Sequence, residues 1–173
     1  MAYFEQSETF SEESSRCQKG LATKSIAIIG CGGAGAPIAE LLAASGIGTI
    51  ELIDGDTVEL SNLGRQIAYD EQDVGQPKTT CLSKRLKRIN PDIAVKTTER
   101  FVTEENICGV LSENDFTVVA ADWPMPDLLY WLIKFPSKIK HAMPASATLF
   151  RQYVSGPFST QANLFAIKNT KMR

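Results

Sequence analysis

One stretch near the amino end constrains the fold more than any other. It reads Ser25-Ile-Ala-Ile-Ile, then Gly30-Cys-Gly32-Gly33-Ala-Gly35, then Pro37-Ile-Ala-Glu-Leu-Leu-Ala-Ala-Ser. The first piece is a β-branched apolar run ended by glycine, which predicts a strand buried on both faces. The glycines predict a tight turn. The apolar residues after Pro37 predict a helix with Ile38, Leu41 and Leu42 on one face, stopping at Gly46. Thr49-Ile-Glu-Leu-Ile-Asp54 predicts the next strand. A unit of about 30 residues fits a right-handed βαβ crossover, so the two strands are expected to be parallel.

The same alternation continues. Gly75-Gln-Pro77-Lys78 opens a segment in which Cys81, Leu82, Leu86 and Ile89 recur at spacings of three and four, which predicts a basic-faced helix that Asn90-Pro91 stops. Residues 93–98 read as a strand, 104–111 as a short helix, and Phe116-Thr-Val-Val-Ala-Ala121 as another buried strand ending at Asp122. The pattern predicts an α/β protein: a Rossmann-like open, mostly parallel sheet with helices on both faces. Further on, a helix is expected over 128–135 and one or two strands within 142–154. A length of 173 residues suits one ordinary domain. It is placed at 24–158, after an N-terminal arm (1–23) and before a C-terminal tail (159–173).

Composition narrows the class. Hydrophobic residues at 43%, charged residues at 22% and a formal charge of -2 exclude a disordered chain and give no footprint for nucleic acid. No run approaches the ~18 apolar residues that cross a bilayer, and the polar start lacks the order of a secretory signal, so a cytoplasmic location is expected, with no membrane partner. Cys17, Cys31, Cys81 and Cys108 are scattered and form no C-x-x-C pair, which points to reduced thiols. Cys31 and Cys81 are expected to be packing residues, and the single histidine, His141, a surface or loop residue.

The chemistry concentrates at the glycine turn. A G-x-G-x-x-G between strand and helix lets backbone N–H groups approach a phosphate, with the helix N-terminus adding partial positive charge. Asp54, at the tip of the second strand, stands where an acid hydrogen-bonds ribose hydroxyls. The bland alternative is a glycine turn used only for tight helix packing. Taken alone, the fingerprint favours NAD. The next segment, Asp54-Gly-Asp56-Thr-Val-Glu-Leu-Ser61-Asn62-Leu-Gly-Arg65-Gln66, followed by Lys78, favours a polyphosphate instead, because Arg grips phosphate bidentately and Lys supplies a mobile point charge. Separately, Arg65 and Lys78 would read as solvated surface cations. Asp122 has two readings: a carboxylate at a strand's carboxyl end, where ligands gather in open α/β sheets, or the N-cap of a helix beginning at Trp123-Pro124.

Over residues 21–122, on the strength of GCGGAG, IDGDTVELSNLGRQ, VGQPK with INP, and VVAAD, the chain resembles the ThiF/MoeB adenylyltransferases, whose domain is shared with the ubiquitin-activating enzymes. The resemblance implies an enzyme that binds ATP and Mg2+ and transfers AMP to a carboxylate, often the C-terminus of a peptide or ubiquitin-like small protein, and works as a homodimer. It implies that Asp54 holds the ribose, that Asn62, Arg65 and Lys78 contact the phosphates, that Asp122 holds magnesium, and that Ser61 and Gln66 line the same loop. Arg65, Lys78 and Asp122 would then be catalytic. The Asp122-Trp-Pro sequence and the later Gly-Pro-Phe turn are similar to peptide-activating, microcin-type members. Departures are also visible. The two C-x-x-C pairs that commonly bind zinc are absent, Glu5-Gln6 stands where relatives carry an arginine beside glutamine, and the family's C-terminal part is expected to be missing or shortened. These keep a second reading open, a catalytically inactive nucleotide-binding partner subunit. An NAD-dependent oxidoreductase is the third.

Overall fold

The structure, a computed structural model, describes residues 19–110, 114–121 and 142–144. Asp122, the helix expected over 128–135, His141 and most of 142–154 lie outside the described residues. The chain divides into two compact units, 1–143 and 144–173, and all described residues except Pro144 belong to the first.

The elements run β1 (Ser25–Ile29), α1 (Gly35–Ala44), β2 (Thr49–Ile53), α2 (Lys78–Ile89), β3 (Ala94–Thr98), α3 (Ile107–Val110), β4 (Phe116–Val119) and β5 (Ala142–Pro144), and the sheet order is β3-β2-β1-β4-β5. β1 pairs parallel with both β2 and β4, Ile28 lying opposite Leu52 on one side and Val118 on the other. β2 pairs parallel with β3, Leu52 opposite Thr97. With neighbours on each edge and protein on each face, Ile26, Ala27, Ile28 and Ile29 are all buried, which is why this strand carries the longest uninterrupted apolar run. β3 is more polar, with Ala94, Lys96 and Thr97 exposed.

α1 begins at Gly35, so Pro37 sits within the first turn, where its missing N–H has no intrahelical partner to lose. The buried stripe of α1 corrects the expected face. It consists of Gly35, Ala36, Ala39 and Ala43, while Leu41 is 69% exposed and Ile38 and Leu42 are half-buried. Close approach is the reason: the Asn90 side chain at the end of α2 donates to the Ala43 carbonyl at 3.1 Å, and a Cβ on Gly35 would overlap the Gly30 carbonyl oxygen. Only small side chains fit there. α2 buries Thr79, Cys81, Leu82 and Leu86 and ends in Lys87 and Arg88, which complement the negative end of its dipole. Arg85 pairs with Glu40 of α1.

The crossovers β1-α1-β2 and β2-α2-β3, right-handed by the general rule, put α1 and α2 side by side on one face, and Ile107 of α3, between β3 and β4, is buried. The direction of winding therefore reverses between β1 and β4. Crevices outside the carboxyl ends of strands at such a switch point are where open α/β sheets bind ligands. No helix among the described residues is long and apolar enough to cross a membrane.

Candidate functional site

The carboxyl ends of three strands converge on Gly30. Its N–H donates to the Ile53 carbonyl at 2.8 Å, and the Ala120 N–H donates to the Ile29 carbonyl at 2.7 Å. Gly30 has φ of +91°, and a Cβ there would stand 2.7 Å from the Ala120 carbonyl carbon and the Ala121 nitrogen. Glycine is required at this position on both counts. The chain then enters α1 through Ala34, an N-cap residue with no side-chain hydrogen bond to offer. Of the first-turn residues, Ala36 donates its N–H to the Gly32 carbonyl at 3.0 Å and Pro37 has none, so what this end offers an anion is chiefly the positive end of the helix dipole.

Asp54 ties the turn to the second strand. Its Oδ2 accepts from the Cys31 N–H at 2.7 Å, and its Oδ1 accepts from the Asp56 N–H at 2.8 Å. Each carboxylate oxygen has a second lone pair, so the group keeps capacity for hydroxyl donors. An antiparallel bridge between Thr57 and Pro77, with the Lys78 N–H donating to the Asp56 carbonyl at 3.0 Å, brings the start of α2 beside this loop. There Lys78 Nζ lies 3.1 Å from Asp56 Oδ2; the lysine side chain is 7% exposed and the aspartate 53%. Lys78 is accordingly a buried cation beside a half-exposed counter-ion, which excludes its reading as a solvated surface charge.

The segment 59–66 is braced internally. The Glu59 N–H donates to Asn62 Oδ1 at 3.1 Å, Ser61 Oγ donates to Glu59 Oε2 at 3.0 Å, and Arg65 donates to the Ser61 carbonyl at 3.2 Å. One of Arg65's five donors is used in that bond, and the side chain is exposed. Gln66 is buried, and its Oε1 has no hydrogen-bond partner. An orphaned acceptor that lines a cleft is a polar group suited to a ligand's donor.

These segments enclose a cleft of about 440 Å³, within the range of small-molecule sites. Gly30, Gly32, Asp54 and Asp56 line it from the strand ends. Asn62, Arg65, Gln66 and Lys78 line it from the loop and α2. Gly33, Gly35 and Ser61 belong to the same turns but do not line it: Gly35 is used in packing and Ser61 in bracing Glu59. Arg100, Phe101 and Val102 also line it and have no counterpart among the sequence expectations. Arg100 and Phe101 follow β3, and the Phe101 ring rests on Gly55. Their signal was position alone, just beyond the carboxyl end of a strand.

Burial pushes the Cys31 thiol far above its ordinary range, with the nearby Asp54 charge adding to it. Cys81 is pushed from 9.0 up to about 11, by burial first and then by Asp73. Neither is a thiolate near neutral pH, as the packing role expected of both requires. Among the described residues no three metal-ligating side chains cluster. Magnesium needs no such cage, because it is commonly held by one or two carboxylates together with substrate phosphates. The cleft fits a nucleotide on its own terms, through the positive end of the α1 dipole, the buried Lys78 and the unpartnered Gln66 carbonyl.

The chain is similar to known proteins in sequence and in fold. The chain is 38% identical over 105 residues to a sulfur carrier protein adenylyltransferase of Thermus thermophilus, a match that covers 61% of this chain and 39% of the relative. It is 35% identical over 105 residues to the molybdopterin-synthase adenylyltransferase of Escherichia coli, covering 61% and 42%. It thus spans about two fifths of the length of these two relatives. Among solved structures, E. coli MccB with MccA-N7isoASN superposes with a TM-score of 0.70 at 32% identity, covering 77% of this chain and 40% of that one. The E. coli tRNA N6-threonylcarbamoyladenosine dehydratase TcdA in complex with ATP gives 0.71 at 30%, covering 80% and 56%. The ThiF family's sequence model matches residues 4–133, well over half the chain. With the glycine turn, the switch-point cleft and these likenesses together, the chain belongs to the ThiF family.

Proposed function

We propose that this protein binds ATP in the switch-point cleft and transfers AMP to a carboxylate of a peptide or small protein. The observation that carries the reading is convergence: the glycine turn, the acid at the tip of β2, the 59–66 loop and the first residue of α2 are separate in sequence and line one cleft. Family membership and the relatives named as adenylyltransferases support it.

In this reaction a carboxylate oxygen forms a bond to the α-phosphorus, the bond to the bridging α–β oxygen breaks, and pyrophosphate leaves with that electron pair. The nucleophile is already ionised at neutral pH, so no general base is needed. Repulsion between anions is the main obstacle, and fixed positive charge relieves it. In this proposal the Asp54 carboxylate accepts from ribose hydroxyls. The Gly32 amide and the positive end of the α1 dipole meet phosphate oxygens, joined by Asn62. Gln66 offers its carbonyl, Phe101 walls the cleft, and Arg65 and Lys78 stabilise the departing pyrophosphate. Asp122 is assigned to magnesium, which when bound neutralises phosphate charge. The acting form is proposed to be a homodimer; the exposed Leu60 and Ile67 beside the cleft's loop support an interface.

Pyrophosphate exchange tests the proposal. Exchange that depends on a peptide or small-protein carboxylate is expected. Magnesium-ATP binding without exchange against any carboxylate supplied would favour the inactive-partner reading, and tighter binding of NAD than of magnesium-ATP would reject the adenylation site altogether.

A further inference from the structure

One buried side chain outside the residues assigned above touches both halves of the phosphate end of the cleft. Tyr69 lies in the loop between β2 and α2, and only 6% of its surface is exposed. Its hydroxyl donates to the Cys31 carbonyl at 2.5 Å, and the Lys78 carbonyl oxygen lies 3.5 Å from it. Cys31 is thereby held through both peptide units that flank its Cα, since its N–H donates to Asp54 at 2.7 Å while its carbonyl shares a peptide unit with the Gly32 N–H. That residue links Gly30 to Gly32, the two glycines of the turn that line the cleft. Glycine-rich backbone is free to rotate, so fixing the flanking peptide fixes which way the turn's amides face.

We propose that Tyr69 is a positioning residue for phosphate recognition: its hydroxyl orients the glycine turn through the Cys31 carbonyl and sets that turn against the first residue of α2. The inference rests on the proposed ATP site. A phenol suits the task because burial pushes its ionisation well above the ordinary range, keeping the proton that the bond requires. No other side chain among the described residues bonds to the Cys31 carbonyl. Phenylalanine would fill the same space and lose only this bond, leaving a buried carbonyl unpartnered.

The test compares two probes in Tyr69→Phe and wild type: magnesium-ATP and adenosine, each by calorimetry. An orienting role predicts about tenfold weaker magnesium-ATP binding, equivalent to about 1.4 kcal/mol, with adenosine affinity within about twofold. Faster hydrogen exchange at the Gly32 and Gly33 amides in the nucleotide-free variant should accompany it. Equal losses for both probes, or a variant that fails to fold, would assign the hydroxyl to stability alone and overturn the inference. Unchanged ATP affinity would overturn it too, while leaving the ATP site standing. Wild-type protein that binds neither probe would remove both.

Discussion

Replacing Lys78 by methionine separates binding chemistry from folding, because the structure predicts very different magnitudes for the two. The lysine stem is buried and methionine keeps its volume, so little packing is lost. What disappears is an ion pair at 3.1 Å whose aspartate is 53% exposed. Left alone, Asp56 turns to water, and methionine removes the desolvated cation together with its burial cost, so the net loss is about 0–1 kcal/mol. The melting temperature should therefore fall by no more than about 2–4 °C for a chain of this size. At the reaction centre the same substitution removes one fixed positive charge from the departing pyrophosphate. A preorganised group of that kind supplies on the order of 3 kcal/mol, so the exchange rate should fall about a hundredfold. Pyrophosphate exchange at saturating ATP and peptide, beside thermal unfolding of the same preparations, reads both quantities. Exchange within about threefold of wild type, or a melting loss above about 10 °C, would show that Lys78 is a structural cation and that the reasoning from burial to phosphate contact is wrong.

Two further outcomes follow from packing and ionisation. Gly35→Ala places a methyl on the Gly30 carbonyl oxygen and close to Ala120, so α1 must shift; a loss of about 1–3 kcal/mol in urea unfolding is expected, with weaker ATP binding, and an unaltered midpoint would disprove the close approach. The Cys81 thiol holds its proton more tightly in the folded chain than in the unfolded one, so its contribution is complete below pH 9.0 and is lost as pH rises toward about 11. Urea midpoints measured across that range should decline. Cys81→Ala should flatten part of the decline, the remainder belonging to Cys31 and Tyr69, which shift the same way; an identical slope in the variant would remove Cys81 from the account.

Much of the fold was legible because its signals are local. The β-branched run of β1, the glycines after it and the proline-led starts of α1 and α2 each dictate backbone conformation without help from distant residues. The inward face of α1 was not legible. Periodicity gives most weight to the largest apolar groups, and so pointed to Ile38, Leu41 and Leu42, whereas the distance between α1 and the turn selects Gly35, Ala39 and Ala43. In the cleft, Asp54, Arg65 and Lys78 stood out by residue type and place. The hydrogen-bonding duties of Ser61 and Asn62 did not, because a sequence gives donors and acceptors but not their partners. The pairing of Lys78 with Asp56, and the hold of Tyr69 on Cys31, depend on a long loop folding back on itself. Arg100 and Phe101 belong to no motif and enter only because β3 ends beside β2.

The contact between Gly35 and the Gly30 carbonyl has a consequence for how a nucleotide is received. Helix and central strand interlock there, so Gly30 cannot shift without levering α1 away from its neighbours, while the Cys31–Gly32 peptide is held by the Tyr69 hydroxyl. The conformational entropy of that end of the cleft is surrendered when the sheet assembles, long before any ligand arrives. A phosphate then meets a mould set before it arrives.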